Sequence, residues 1–507
     1  MAKNDFAKNS FILTFSNIIT GILGFIFSIT LSKKLGPEGL GLYGLVKPIY
    51  MVFLSLVCGG LVIAVSKISA EYYGKGDYKN FKRNIRTSLI FTFLWSMFIA
   101  TLLFLLAPTL GTYIIRDTRT INALRLLCPA IVLISLSSCI KGYFYSVMKV
   151  TVPMIIDIFE KGARIIVLIA IISRLNAANV TATVTGAYFA LCIGEFISFA
   201  LLYGFYKLNI KKLPPSNTKG ESRVQLLFNT ISISFPLLIT QLISSLFATC
   251  SVLLIPRRLV NAGFGYDTAL AMIGKFNGMA KTIVFFPMVI IESISVLLIP
   301  DLSRSLSKKH YKSIDNRISK VIELSFLLGA TTLIICLCIG NNLGFILYNR
   351  KDLGSYIKFI ALAAPFFYTA TTSLGILNGL GKQKIILRNS IIISIARVLL
   401  LYFLTSIPSI NIYGYGIALI ITSLLTLCLN LLEIKKTSHL HLNLFDFILD
   451  ILIVIFTYFI LIILTKILPK SMLTFSTIII LFSGFLIVLL IKNLWKYINI
   501  FFPNKNV

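Results

Sequence analysis

Apolar runs of about twenty residues recur along nearly the whole chain, and that pattern excludes most folds at once. The runs fall near 9–31, 40–66, 87–108, 121–147, 152–173, 182–206, 225–255, 269–299, 318–340, 355–379, 385–407, 412–432, 444–466 and 473–495. A helix rises about 1.5 Å per residue, so each run is long enough for the ~30 Å hydrocarbon core of a bilayer. Within that core each backbone N–H and C=O must be satisfied inside the segment, which leaves the α-helix for runs of this length. The chain is therefore expected to be an all-α integral membrane protein with about fourteen transmembrane helices. Composition agrees: 57% of the residues are hydrophobic and 13% charged, against roughly 45–50% and about 25% in soluble domains.

A formal charge of +30 raises the possibility of a nucleic-acid partner. The cations, however, sit in short loops between apolar runs, which is the positive-inside pattern, so no nucleic acid is expected. An intracellular N-terminus places clusters at Lys67 to Arg86, Lys207 to Arg223, Arg304 to Lys320, Lys382 to Arg388 and Lys435–Lys436 on the cytoplasmic side. With an even number of spans, both termini are then cytoplasmic. All eight cysteines lie in apolar runs, where they read as packing residues. His310, His439 and His441 fall in predicted loops without metal-ligand spacing. No Gly-rich loop ends in Gly-Lys-Ser/Thr. No cofactor, metal or enzymatic activity is implied.

The chain also repeats. Val46-Lys47-Pro48-Ile49 matches Ala280-Lys281-Thr282-Ile283, and Tyr78-Lys79 before Asn84-Ile85 matches Tyr311-Lys312 before Arg317-Ile318. Cys128-Pro129 matches Ala364-Pro365, and Ala163-Arg164-Ile165 matches Ala396-Arg397-Val398. These pairs align helices one to six with seven to twelve in the same membrane orientation. The expected architecture is two parallel six-helix lobes, 1–208 and 224–433, related by a pseudo-two-fold axis along the membrane normal. A cytoplasmic linker, 209–223, joins them, and two additional transmembrane helices occupy 434–507.

Local motifs add a resemblance. Leu35-Gly36-Pro37-Glu38-Gly39-Leu40-Gly41-Leu42-Tyr43, Gly59-Gly60 with Ala64-Val65-Ser66-Lys67, and Ser234-Phe235-Pro236-Leu237-Leu238 with Ile255-Pro256-Arg257-Arg258-Leu259 all contribute. Gly278-Met279-Ala280, Phe286-Pro287 and Leu298-Ile299-Pro300-Asp301-Leu302-Ser303 complete the set. Together they resemble the stage V sporulation protein B family, in the polysaccharide-export and lipid II flippase branch of the superfamily that contains the multidrug and toxin extrusion transporters. The resemblance implies two lobes around a central cavity in the bacterial cytoplasmic membrane. It also implies export of a lipid-linked sugar for spore cortex peptidoglycan, with the last two helices forming a groove for the lipid tail.

Charges inside spans are costly, at least about 2.5–3.5 kcal/mol each, so each one needs a partner or a role. Lys47 and Lys281 hold repeat-equivalent positions and are expected on facing cavity walls, with Lys275 about two turns from Lys281. Arg164 and Arg397 form a second equivalent pair, and Lys141 lies toward the cytoplasmic side. These six are the expected substrate-binding residues, for an anionic head group such as a lipid diphosphate. The alternative for each is a structural ion pair or snorkelling. Glu195, Glu292 and Glu160 are the candidate coupling or ion-pair acids; Glu160 precedes Arg164 by one helical turn. A multidrug or metabolite antiporter would instead need such an acid to be essential. Expected partners are a lipid-linked anionic oligosaccharide and membrane lipids; a scaffold for cell-wall synthases is a third reading.

Overall fold

The computed structural model of the chain describes residues 2–174, 179–214, 220–307, 311–437, 444–469 and 472–501, and these contain helices and no strand. They gather into two compact units, Met1–Gly274 and Lys275–Val507.

The first unit opens with α1 (Ala2–Cys58), which is broken at Gly36. Gly36 adopts φ 67°, a left-handed conformation open to glycine at little cost, and Pro37 cannot supply the next helical N–H. One long apolar stretch thus becomes two passes. Then follow α2 (Leu61–Gly74), α3 (Tyr78–Thr109), α4 (Ile121–Ser146), α5 (Thr151–Arg174), α6 (Val180–Ile210), α7 (Arg223–Asn261) and α8 (Tyr266–Ile273). Side-chain caps start several of them: Asp77 accepts from Asn80 N, Asn179 from Ala182 N and Ser222 from Gln225 N, each at 3.1 Å. The aromatic and aliphatic side chains of Phe81, Ile85, Ile140, Tyr143, Phe144, Ile156, Leu202 and Tyr206 form a core between α3, α4, α5 and α6.

The second unit holds α9 (Lys281–Phe285), α10 (Met288–Ser307), α11 (Tyr311–Tyr348), α12 (Gly354–Ala361), α13 (Ala364–Gly379), α14 (Gln383–Leu404), α15 (Tyr413–Thr437), α16 (Leu444–Ile467) and α17 (Leu473–Phe501). A π-helical stretch, Gly274–Ala280, leads into α9. Its core joins Leu298, Leu302, Ile314, Ile318, Ile322, Ile376, Leu377, Leu380 and Ile434.

The division between compact units does not coincide with the 209–223 linker. Helices α7 and α8 cluster with the first unit because their backbones approach α1 closely. A Cβ on Gly59 would lie 2.6 Å from Leu238 Cα, one on Gly41 2.1 Å from Leu270 O, and one on Gly274 1.9 Å from Pro37 O. The pair α16–α17 clusters with the second unit, against α11.

Ten described helices are long and apolar enough to cross a membrane, or twelve if each of two bent pairs is one span. The run Thr14–Gly74 has 61 residues, about 90 Å of helix or far more than one bilayer, and its break at Gly36 makes it two passes. Helix α5 has 24 residues but carries Asp157, Glu160, Lys161 and Arg164. Counting both is consistent with fourteen. The run expected at 269–299 is not one helix: Pro287 removes a backbone donor and the chain bends by 61° there. The 355–379 run bends by 49° between α12 and α13, ahead of Pro365.

Candidate functional site

Each compact unit holds a cavity lined in part by charged side chains, and the two differ in charge. In the first unit, Asp157, Glu160, Lys161 and Arg164 recur at i, i+3, i+4 and i+7 on α5, so one face of that helix is ionic. This face, with Lys141 of α4, Glu195 of α6 and Asn17 and Thr20 of α1, lines a cavity of about 380 Å³. Arg164 bridges Glu160 and Glu195, the latter at 2.7 Å. Lys141 Nζ lies 2.7 Å from Asp157 Oδ1, and Lys161 donates to the Thr20 carbonyl at 3.4 Å. Gly194 permits this: a Cβ there would sit 3.0 Å from Glu160 Oε1 and 3.3 Å from Arg164 Nε. Three cations meet three carboxylates, and the cavity is close to neutral.

The second unit has the opposite balance. Its cavity, about 270 Å³, is lined by Lys281 of α9, Arg397 of α14, Thr371 of α13 and Tyr415, Ser423 and Thr426 of α15, with apolar side chains between. Among the described residues no carboxylate lines it. The Lys281 ammonium donates to Tyr415 Oη at 3.3 Å and lies 5.7 Å from the Tyr415 ring centre. Tyr415 Oη in turn donates to Asn277 Oδ1 at 3.4 Å. Arg397 Nε is buried with no hydrogen-bond partner among the described residues. The sequence Tyr413-Gly414-Tyr415-Gly416 builds this wall. Cβ atoms on Gly414 and Gly416 would collide with the Leu404 backbone at 2.8 Å and the Phe359 ring at 2.5 Å, so α15 starts pressed against α14 and α12. The Phe276 ring, 5.6 Å from that of Tyr415, fixes its position. Two cations are thus held beside hydroxyls in one cleft, which suits a doubly charged oxyanion.

The other expected residues fall elsewhere. Lys275 Nζ is 2.6 Å from Asp352 Oδ2 and does not line the Lys281 cavity. Burial works to raise the Asp352 carboxyl, but the hydrogen bond and charge of Lys275, with Arg350 nearby, hold it below its ordinary value. Lys47 is exposed on α1 between buried Val46 and Ile49. Glu292 is exposed on α10 and lines neither cavity. Asn17 and Thr20 of α1 face the first cavity. His310, His439 and His441 lie outside the described residues. Among the described residues no His, Cys, Asp or Glu cluster is arranged to hold a metal. Sequence reasoning missed Tyr415 and Asp352; the Tyr-Gly-Tyr-Gly pattern was the available signal for the first.

The family described as polysaccharide biosynthesis protein matches residues 6–306, the region that contains every motif behind the resemblance. Stage V sporulation protein B of Bacillus subtilis (strain 168) is 25% identical over 464 residues, 91% of this chain and 89% of that one. Lipid II flippase MurJ of the same organism is 23% identical over 398 residues, 74% of this chain and 73% of that one. A solved structure of lipid II flippase MurJ in an inward closed conformation shares the fold, with TM-score 0.72 at 14% identity, covering 97% of this chain and 100% of that one.

Proposed function

Because the chain belongs to the polysaccharide biosynthesis protein family, we propose that it is a membrane transporter, not an enzyme, that flips a polyprenyl-diphosphate-linked peptidoglycan precursor of the lipid II kind. The observation that carries this reading is the carboxylate-free cavity holding Lys281 and Arg397. Its volume, about 270 Å³, lies just below the roughly 300–1,000 Å³ usual for ligand sites, which fits a diphosphate better than a whole saccharide. The sugar and peptide then extend beyond it, while the prenyl tail stays in lipid. Transport by alternating access between two repeat-related lobes follows from the internal repeat, and requires that substrate not strongly prefer one conformation. The likeness to a stage V sporulation protein supports a role in spore cortex synthesis.

An antiporter reading needs an acid free to carry an ion. The first cavity instead pairs its acids: Arg164 with Glu160 and Glu195, Lys141 with Asp157. That favours the anionic cargo.

The test is lipid II flipping in reconstituted vesicles. Lys281→Ala and Arg397→Ala are expected to lower the rate by at least about tenfold, the equivalent of one lost charge-assisted contact of ~1.4 kcal/mol, with insertion and yield unchanged. Normal flipping by both variants would overturn the assignment of the cavity.

A further inference from the structure

The pair α16–α17 meets α11 through charges that neither cavity uses. Lys492 of α17 bonds two carboxylates: Glu323 of α11, and Asp450 Oδ1 of α16 at 2.6 Å. Asp450 has no exposed side-chain area, and its second oxygen, Oδ2, is buried without a hydrogen-bond partner among the described residues. The titratable groups facing Asp450 from the elements around it are Glu323 of α11, Lys492 of α17 and Asp446, one turn earlier on α16. No second Lys or Arg pairs with Glu323 or Asp450 among the described residues.

One ammonium between two carboxylates leaves a negative charge in surroundings where an isolated charge is costly. The first cavity has no such excess, since its three acids meet three cations. Two species can supply the missing positive charge. A metal cation would need several oxygen ligands, yet it would stand beside the Lys492 ammonium, which already occupies the space between the carboxylates. A proton needs one oxygen and no added volume, and Asp450 Oδ2 offers a buried oxygen that no donor reaches among the described residues.

We propose that the Asp450–Lys492–Glu323 triad is a proton-binding site that fastens the C-terminal helix pair to α11. With one carboxyl neutral, Lys492 and the remaining carboxylate form a balanced pair. Without that proton, the excess charge pushes α16–α17 off α11. The docked state holds one proton more than the undocked state, so docking is firm at low pH and weakens as pH rises through the site's titration. For one proton, the undocking constant rises by up to about tenfold per pH unit between the titration of the undocked carboxyl and that of the docked one, and levels off above the latter.

Infrared difference spectroscopy and amide hydrogen exchange on the full chain in lipid nanodiscs test this. At a pH below the site's titration, Asp450→Asn should lack one carboxylic-acid carbonyl band that wild type shows. Protection of α16 and α17 amides, corrected for the intrinsic base-catalysed rate, should fall with pH in wild type. In Asp450→Asn and Glu323→Gln, each of which removes the excess charge, it should not. Asp450→Asn that instead loses a carboxylate band refutes the proposal, as does protection in wild type that ignores pH. Protection that follows sodium concentration rather than pH also overturns it, in favour of a metal ion. If Asp450→Asn fails to insert, the same spectra and exchange on Glu323→Gln decide the matter.

Discussion

Arg164 and Arg397 occupy matching places in the two sequence repeats, yet their surroundings differ. Arg164 is held by Glu160 and Glu195. Removing it leaves two buried carboxylates without their counter-charge, a change that costs about 3–5 kcal/mol when a buried pair loses one member. Arg164→Ala is therefore expected to destabilise the protein by roughly that amount in thermal unfolding, and a second change, Glu160→Gln or Glu195→Gln, should restore part of it. Arg397 makes no ion pair among the described residues, and its Nε is unsatisfied. Arg397→Ala should leave unfolding unchanged or raise it slightly while transport falls. Equal destabilisation by both changes would make Arg397 a structural residue and remove it from the anion cavity. The sequence identified both arginines through their intramembrane position. It also paired Arg164 with Glu160, because one helical turn is visible in spacing. Glu195 as the second partner was not visible, since it depends on how α5 and α6 meet.

At the scale of elements, close helix crossings rest on glycine. Helix α8 lies against the second half of α1 because Gly41 and Gly274 have no side chain: added Cβ atoms would stand 2.1 Å and 1.9 Å from carbonyl oxygens. Gly44, three residues after Gly41, has nothing within 4 Å of an added Cβ. Gly41→Ala is expected to force α8 away from α1 and cost about 1–3 kcal/mol, as overpacking does. Gly44→Ala should be neutral or slightly stabilising, because alanine favours the helix. Thermal melts of the two variants side by side give the comparison, and equal melts would show that the crossing relaxes freely. Apolar runs revealed where helices lie because lipid requires about twenty apolar residues per pass. They did not reveal that α8, the π-helical stretch and α9 replace one straight helix, nor that α7 and α8 belong to the first compact unit. Both depend on backbone contacts between segments distant in sequence, on which hydrophobicity is silent.

For the whole molecule the open quantity is orientation, and charge supplies an argument for it. Lys and Arg number 48 against 18 Asp and Glu, and the bias of cations in short loops orients helices during insertion. Helices α6 and α7 are joined through a segment containing Lys207, Lys211, Lys212 and Arg223, and α15 ends on Lys435–Lys436. By contrast, α3 leads into a π-helical stretch, Leu110–Ile115, whose Tyr113 is 76% exposed. The proposed topology places the first two sites in the cytoplasm and Tyr113 outside. In a background freed of the eight native cysteines, Lys212→Cys and Lys435→Cys should react with a membrane-impermeant maleimide only after the cells are permeabilised. Tyr113→Cys should react in intact cells. The reverse pattern would invert the molecule, and a mixed pattern would break the even count of passes on which both cytoplasmic termini depend. The same inversion would move the Asp450–Lys492–Glu323 site to the outer face, where the pH it meets is that of the surroundings rather than of the cell. The labelling result therefore also decides which compartment supplies the proton.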